Sequence, residues 1–164
     1  MRIGILSDSH DQLVLTQHAV ELLIREGAEA LIHCGDLTGP EIVRACAKLP
    51  CTFAFGNHDA DNAPALELAI AEVGGTCVAS GAIVEMAGKR IAVLHGHVGM
   101  KDMLTKRPDY VIHGHSHIAA DCRIGPTRRI CPGALDRAES LTVALLDTET
   151  EELRILRLSG EGAA

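Results

Sequence analysis

The chain has 164 residues, 47% of them hydrophobic and 23% charged, which excludes a disordered chain and fits one globular domain over 1–164. Its net charge of −7 argues against nonspecific binding to nucleic acid or to an anionic membrane, because both need a basic face. Only two Phe and one Tyr stand beside nine His and no Trp. The core must therefore be aliphatic, and the histidines need their own explanation.

In chain order, Arg2 to Ser7 reads as a short buried strand. Asp11 to Glu26 follows with apolar residues at helical spacing, stopped by Gly27 as a C-cap. Ala30 to His33 is a second strand. Pro40 opens a second helix that runs to about Lys48. Cys51 to Phe55 is a third strand and Ala63 to Val73 a third helix. This alternation predicts a parallel sheet with covered faces. After Gly75 the pattern changes. Ala82 to Met86 pairs with Arg90 to His95 as a hairpin, and Tyr110 to His113 is a short strand. Ala119 to Arg123 with Arg128 to Cys131, and Leu141 to Leu146 with Leu153 to Leu158, form two more hairpins. So many strands predict two packed sheets with helices outside.

No apolar run reaches the roughly 18 residues of a membrane span. Met1 to Ser7 turns polar too soon for a signal peptide. The six Cys contain no Cys-x-x-Cys pair and are expected to be reduced thiols, which points to a cytoplasmic protein.

Eight of the nine His fall at or just after the carboxyl end of a predicted strand; only His18 lies mid-helix. Ligands of open α/β sheets bind beyond those strand ends, so the loops should converge. The blocks are Asp8-Ser9-His10, Gly35-Asp36, Gly56-Asn57-His58-Asp59, His95-Gly96-His97 and Gly114-His115-Ser116-His117. Carboxylate, imidazole and amide oxygen together suit manganese, iron or zinc rather than calcium or a structural zinc–thiolate site.

These five blocks, in this order, resemble the calcineurin-like metallophosphoesterase superfamily. Gly4-Ile5-Leu6-Ser7-Asp8-Ser9-His10-Asp11 and His33-Cys34-Gly35-Asp36 are similar to its small single-domain bacterial and archaeal phosphodiesterases. The resemblance implies an α/β fold, a four-layer α-β-β-α sandwich of two mixed sheets flanked by helices. It implies that Asp8, His10 and His117 hold one divalent ion, that Asn57, His95 and His115 hold a second, and that Asp36 bridges them. Manganese is the first choice, with iron, zinc or nickel as alternatives. The implied reaction is hydrolysis of small phosphodiesters, and of phosphomonoesters as a further class, by a hydroxide bridging the two ions. His58 would donate a proton to the leaving oxygen, with Asp59 orienting its ring. Asn57, His58 and His97 would contact substrate. His33 and His113 read as packing or supporting residues, His18 as surface, and Cys34 as a small core residue. Cys131-Pro132-Gly133-Ala134 departs from the Asn-Pro-Gly-Ser common among small relatives, and Arg137 reads either as a compensating side chain or as a surface residue. A small phosphoester is the expected partner, and self-association is open. A retromer-subunit-like scaffold and a nuclease are the competing readings. The intact ligand set argues against the first and the acidic charge against the second.

Overall fold

The computed structural model describes residues 1–158, so the last six residues of the expected domain lie outside the described residues. The strands are β1 (Arg2–Leu6), β2 (Ala30–His33), β3 (Cys51–Ala54), β4 (Thr76–Ala79), β5 (Ala82–Met86), β6 (Lys89–Val93), β7 (Tyr110–Ile112), β8 (Ala120–Ile124), β9 (Thr127–Cys131), β10 (Thr142–Asp147) and β11 (Leu153–Arg157). The helices are α1 (Leu13–Arg25), α2 (Pro40–Cys46), α3 (Ala63–Glu72) and α4 (Met100–Thr105), with a 3₁₀ turn at Ala60–Asn62.

One sheet has six strands in the order β11-β10-β1-β2-β3-β4, and the other has five in the order β5-β6-β7-β9-β8. In the first, β1 to β4 run parallel, as the alternation of strand and helix requires, while β10 runs antiparallel to both of its neighbours, β1 and β11. The second mixes the β5–β6 and β8–β9 hairpins with parallel pairs on either side of β7. Three apolar clusters separate four layers. Leu23, Ile42, Phe53 and Leu66 lie between α1–α3 and the six-stranded sheet. Ile3, Ile5, Ile32 and Cys34 meet Ile91, Val93 and Ile112 between the sheets. Ala92, Leu94 and Val111 meet Met103 under α4. The expected α-β-β-α sandwich is therefore present, and its centre is aliphatic.

Gly27 ends α1 at φ +96°, with the Gly27 N–H donating to Ile24 and the Ala28 N–H to Leu23. This is the paired C-terminal cap that glycine permits. Pro40 occupies the start of α2, where its missing N–H costs nothing. The helix expected from Asp11 begins at Leu13 instead, because Asp11 holds φ +60° and is not helical. Two elements were not expected. β4 is a four-residue edge strand with two exposed and two half-buried residues, and α4 has only six residues. Neither is long enough to display a period. No helix of the described residues is long and apolar enough to cross a membrane.

Candidate metal centre

The carboxyl ends of β1, β2 and β3 in one sheet and of β6 and β7 in the other open at the same end of the sandwich. Asp8 and His10 follow β1, Asp36 follows β2, His95 follows β6, and His115 and His117 follow β7. The turns are tight. Asp8, His10, Asp36, His115 and His117 all adopt positive φ, between 42° and 67°. Non-glycine residues rarely do so, and each such residue costs of order 1–3 kcal/mol. The surrounding fold imposes these conformations, which turn the side chains inward.

Close approach also depends on glycine. A Cβ on Gly114 would fall 2.7 Å from Asp8 Oδ2. One on Gly56 would collide with the Asp36 carboxylate. Only a bare Cα leaves room for both acids.

Asp8 is buried, and its Oδ2 accepts from Ser7 Oγ at 2.6 Å and from the His115 N–H at 3.1 Å. Its Oδ1 faces His117 Nε2 at 3.1 Å and His95 Nε2 at 3.9 Å, yet has no hydrogen bond. Asp36 Oδ2 lies 3.4 Å from His95 Nε2 and 3.6 Å from His10 Nε2, while its Oδ1 accepts the His58 N–H at 2.9 Å. His95 Nε2 also faces His115 Nδ1 at 3.2 Å. Behind the cluster, His95 Nδ1 donates to Cys34 O at 2.8 Å and His117 Nδ1 donates to Arg137 O at 3.3 Å. Anchoring one ring nitrogen on a carbonyl leaves the other as a lone pair, the usual way a metal-binding imidazole is oriented. Asp8 Oδ1 and His10 Nε2 are buried without partners. Such atoms are costly unless something fills the space between them. Two overlapping donor sets, Asp8–His10–His117 and Asp8–Asp36–His95, each have their ligand atoms within 4.8 Å of one another. The donor chemistry fits divalent cations.

The charges agree with this fit. Burial opposes ionisation of Asp36, but the His95 hydrogen bond, the His58 N–H and the two nearby imidazoles hold its pKa at about 2. Burial would lower His95, but Asp36 and Asp8 lift it above the ordinary histidine range. Burial lowers His10.

The other expected residues are less uniform. His58 is exposed, and its ring meets His10 edge-on with centroids 5.1 Å apart. His97 is exposed, 5.4 Å from the His95 ring. Asn57 is exposed on the same loop, and its side chain makes no hydrogen bond to the cluster. Asp59 requires a correction. It does not orient the His58 ring. It is fully buried, and its two oxygens accept the backbone N–H groups of Asp36, Thr38 and Gly56, each at 2.8 Å. Those amides engage both carboxylate oxygens, so the side chain ties the β2 loop to the β3 loop instead. Cys131 is buried against Gly114 O and Ser116 Oγ, and Arg137 contributes its carbonyl to the centre. His18 is exposed, and Cys34 lies between the sheets, both as expected.

His33 has a more definite place than packing. It is wholly buried, with Nδ1 accepting the Gly35 N–H at 3.2 Å and Nε2 donating to Ser9 Oγ at 2.7 Å. It thus joins the loop carrying Asp8 and His10 to the loop carrying Asp36. Burial pushes its pKa from 6.5 down to about 3. The unfolded chain protonates this ring below 6.5 while the folded chain does not until about 3. Its contribution to stability is therefore complete above the ordinary value and is lost as pH falls through that window, by roughly 1 kcal/mol per pH unit. Urea denaturation of chelator-treated protein at about pH 7 and about pH 5 should show this slope, and His33→Asn should flatten it.

A four-layer sandwich with carboxylates and imidazoles converging at its strand ends defines a metallophosphoesterase. Residues 1–151 match the family model of the calcineurin-like phosphoesterase superfamily domain. The phosphodiesterase MJ0936 of Methanocaldococcus jannaschii is 29% identical over 162 residues, covering 94% of this chain and 97% of that protein. The structure of an archaeal phosphodiesterase superposes with a TM-score of 0.86 at 28% identity, covering 96% of this chain and 100% of the other. The phosphoesterase Yfce of E. coli shares the fold with a TM-score of 0.68 at 17% identity, over 97% of this chain and 100% of the other. The chain belongs to the calcineurin-like phosphoesterase superfamily and is a phosphoric ester hydrolase.

Proposed function

We propose that the protein hydrolyses small phosphodiesters, and phosphomonoesters as a second class, with two divalent ions at this centre. Asp8, His10 and His117 hold one ion, Asn57, His95 and His115 hold the other, and Asp36 lies between them. The observation that carries this reading is the pair of buried, unpartnered atoms Asp8 Oδ1 and His10 Nε2 beside anchored imidazoles. Bound there, divalent ions supply positive charge for the phosphoryl oxygens and acidify a water enough to make it a nucleophile near neutral pH.

The chain's own residues do the rest. Asp36 keeps its negative charge at the centre despite burial. His58 reaches the cleft from an exposed loop and supplies a proton to the leaving oxygen. His97, exposed beside His95, steers a phosphate oxygen, and the Asn57 amide contacts substrate as well as metal. Asp59 acts through the loop backbone, fixing where Asp36 and His58 sit. An aliphatic protein with so few aromatic rings offers little surface for stacking a base, so recognition centres on the phosphate. Manganese suits the mixed oxygen and nitrogen donors, and the six free thiols suit a reducing cytoplasm.

Chelator-treated protein should be inactive on bis(4-nitrophenyl) phosphate and recover with Mn²⁺. Calorimetry should find two equivalents bound. Failure of every divalent ion to restore turnover, or binding of a single ion at full activity, overturns the two-ion reading.

A further inference from the structure

The strand β8 is built inside out. It closes one edge of the five-stranded sheet, paired only to β9. Side chains alternate across a strand, so Ala120, Cys122 and Ile124 share one face, and Asp121 and Arg123 share the other. Ile112 and Ile130 pair across β7 and β9 and point between the sheets. Asp121 pairs with Ile130, so the charged face of β8 turns inward. The apolar face turns outward. There Ile124 is 41% exposed and Cys122 is an exposed free thiol, and Ile118, in the bend just before the strand, is 71% exposed. The helix α4 covers β6 and β7 and does not reach β8. An open edge with its apolar side chains turned to solvent is a surface made for a further strand.

The sequence of β8 says what that strand is. In Ala120-Asp121-Cys122-Arg123-Ile124, an antiparallel copy centred on Cys122 places Asp121 opposite Arg123 twice over. Ala120 then meets Ile124. The ladder allows this register. The two-residue turn Gly125–Pro126 makes Ile124–Thr127 a hydrogen-bonded pair, so Cys122 also bonds toward β9. Asp121 and Arg123 therefore present their N–H and C=O groups to the open edge, where each can pair with the other's copy. Within the chain Asp121 already receives both Arg128 Nε and NH2 at 2.8 Å, and Arg123 reaches Glu151 at 3.2 Å. The cross-strand pairs would join these into one alternating row of charge, Arg128, Asp121, then the second copy's Arg123 and Glu151.

We propose that β8 is a self-association edge, on which a second copy of this chain docks antiparallel about Cys122 to form a two-fold dimer with a continuous ten-stranded sheet. His117 precedes β8 by only three residues, so the dimer seam starts near the candidate metal centre. The inference is independent of the reaction proposed for it. Five residues make a short ladder, and association is concentration-dependent.

Sedimentation velocity from micromolar to millimolar protein should show a monomer–dimer equilibrium. Arg123→Asp sets Asp against Asp twice and should weaken the dimer by about tenfold, whereas Asp121→Arg with Arg123→Asp restores the pairs and should recover it. Circular dichroism melting identifies any variant that fails to fold. Diamide should link the dimer through Cys122, two thiols losing two protons and two electrons as diamide is reduced to its hydrazine. That product should persist in Cys77→Ser and vanish in Cys122→Ser. A monomer at every concentration overturns the proposal. So does a dimer insensitive to the charge swap, or one cross-linked without Cys122.

Discussion

Asp36→Asn should lower metal-dependent turnover by on the order of 10³-fold while leaving the fold intact. The substitution is nearly isosteric, and the amide oxygen can still accept the N–H of His58, which now lies 2.9 Å from Oδ1. What it loses is charge at the atom facing His10 and His95, at 3.6 and 3.4 Å. An amide N–H₂ there would meet two imidazole lone pairs and could not serve a cation. The carboxylate is ionised at every working pH, because its neighbours hold it near 2 against the cost of burial. The loss should therefore persist across the neutral range rather than recover at high pH. Steady-state kinetics with Mn²⁺ and metal-binding calorimetry test the two halves of the expectation. Wild-type metal affinity with less than a tenfold loss of rate would remove Asp36 from the centre.

His58→Ala should discriminate between leaving groups. Alkyl phosphoesters leave as basic alkoxides and need a proton, so their hydrolysis should fall on the order of 10²–10³-fold. Nitrophenolate is stable without a proton, and its esters should lose less than about tenfold. His58 contributes its N–H to Asp36 through the backbone, which alanine preserves. The side chain is exposed and absent from the core, so the change should not unfold the protein. Equal losses on both ester types would assign His58 to substrate binding alone.

Much of the centre was legible because its chemistry sits at strand ends. Gly35-Asp36 and Gly114-His115-Ser116-His117 mark points where a buried strand stops and polar ligands begin, and the fold brings those points together as parallel sheets must. The supports were not legible. Asp59 follows His58 in sequence and invites a side-chain pairing, but its partners are backbone amides, Gly56 on its own loop and Asp36 and Thr38 from a loop more than twenty residues earlier. Backbone donors carry no residue signature. His33 likewise meets Ser9 only because β1 and β2 are adjacent and in register, Leu6 opposite His33. Asp8, His10 and Asp36 give no sign in the sequence that their φ angles are positive, since any side chain can be forced there by enough packing. The missed pieces of fold have a simpler cause. At β4, Thr76-Cys77-Val78-Ala79 lies on an edge and buries too little to show alternation. Only one and a half turns long, α4 covers a few residues of one sheet.

The proposed ligands come from both sheets: Asp8 and Asp36 from the six-stranded one, His95, His115 and His117 from the five-stranded one. The two halves also meet in the aliphatic layer at Ile3, Ile32, Val93 and Ile112 and at Glu151, which reaches Lys89 and Arg123. On the proposed function, a cation held between them would be a fastener as well as a reagent. Its binding free energy is added to the cohesion of the sandwich by mass action, since the separated halves present no such cage. Chelation is then expected to lower the melting temperature of the protein as well as its turnover.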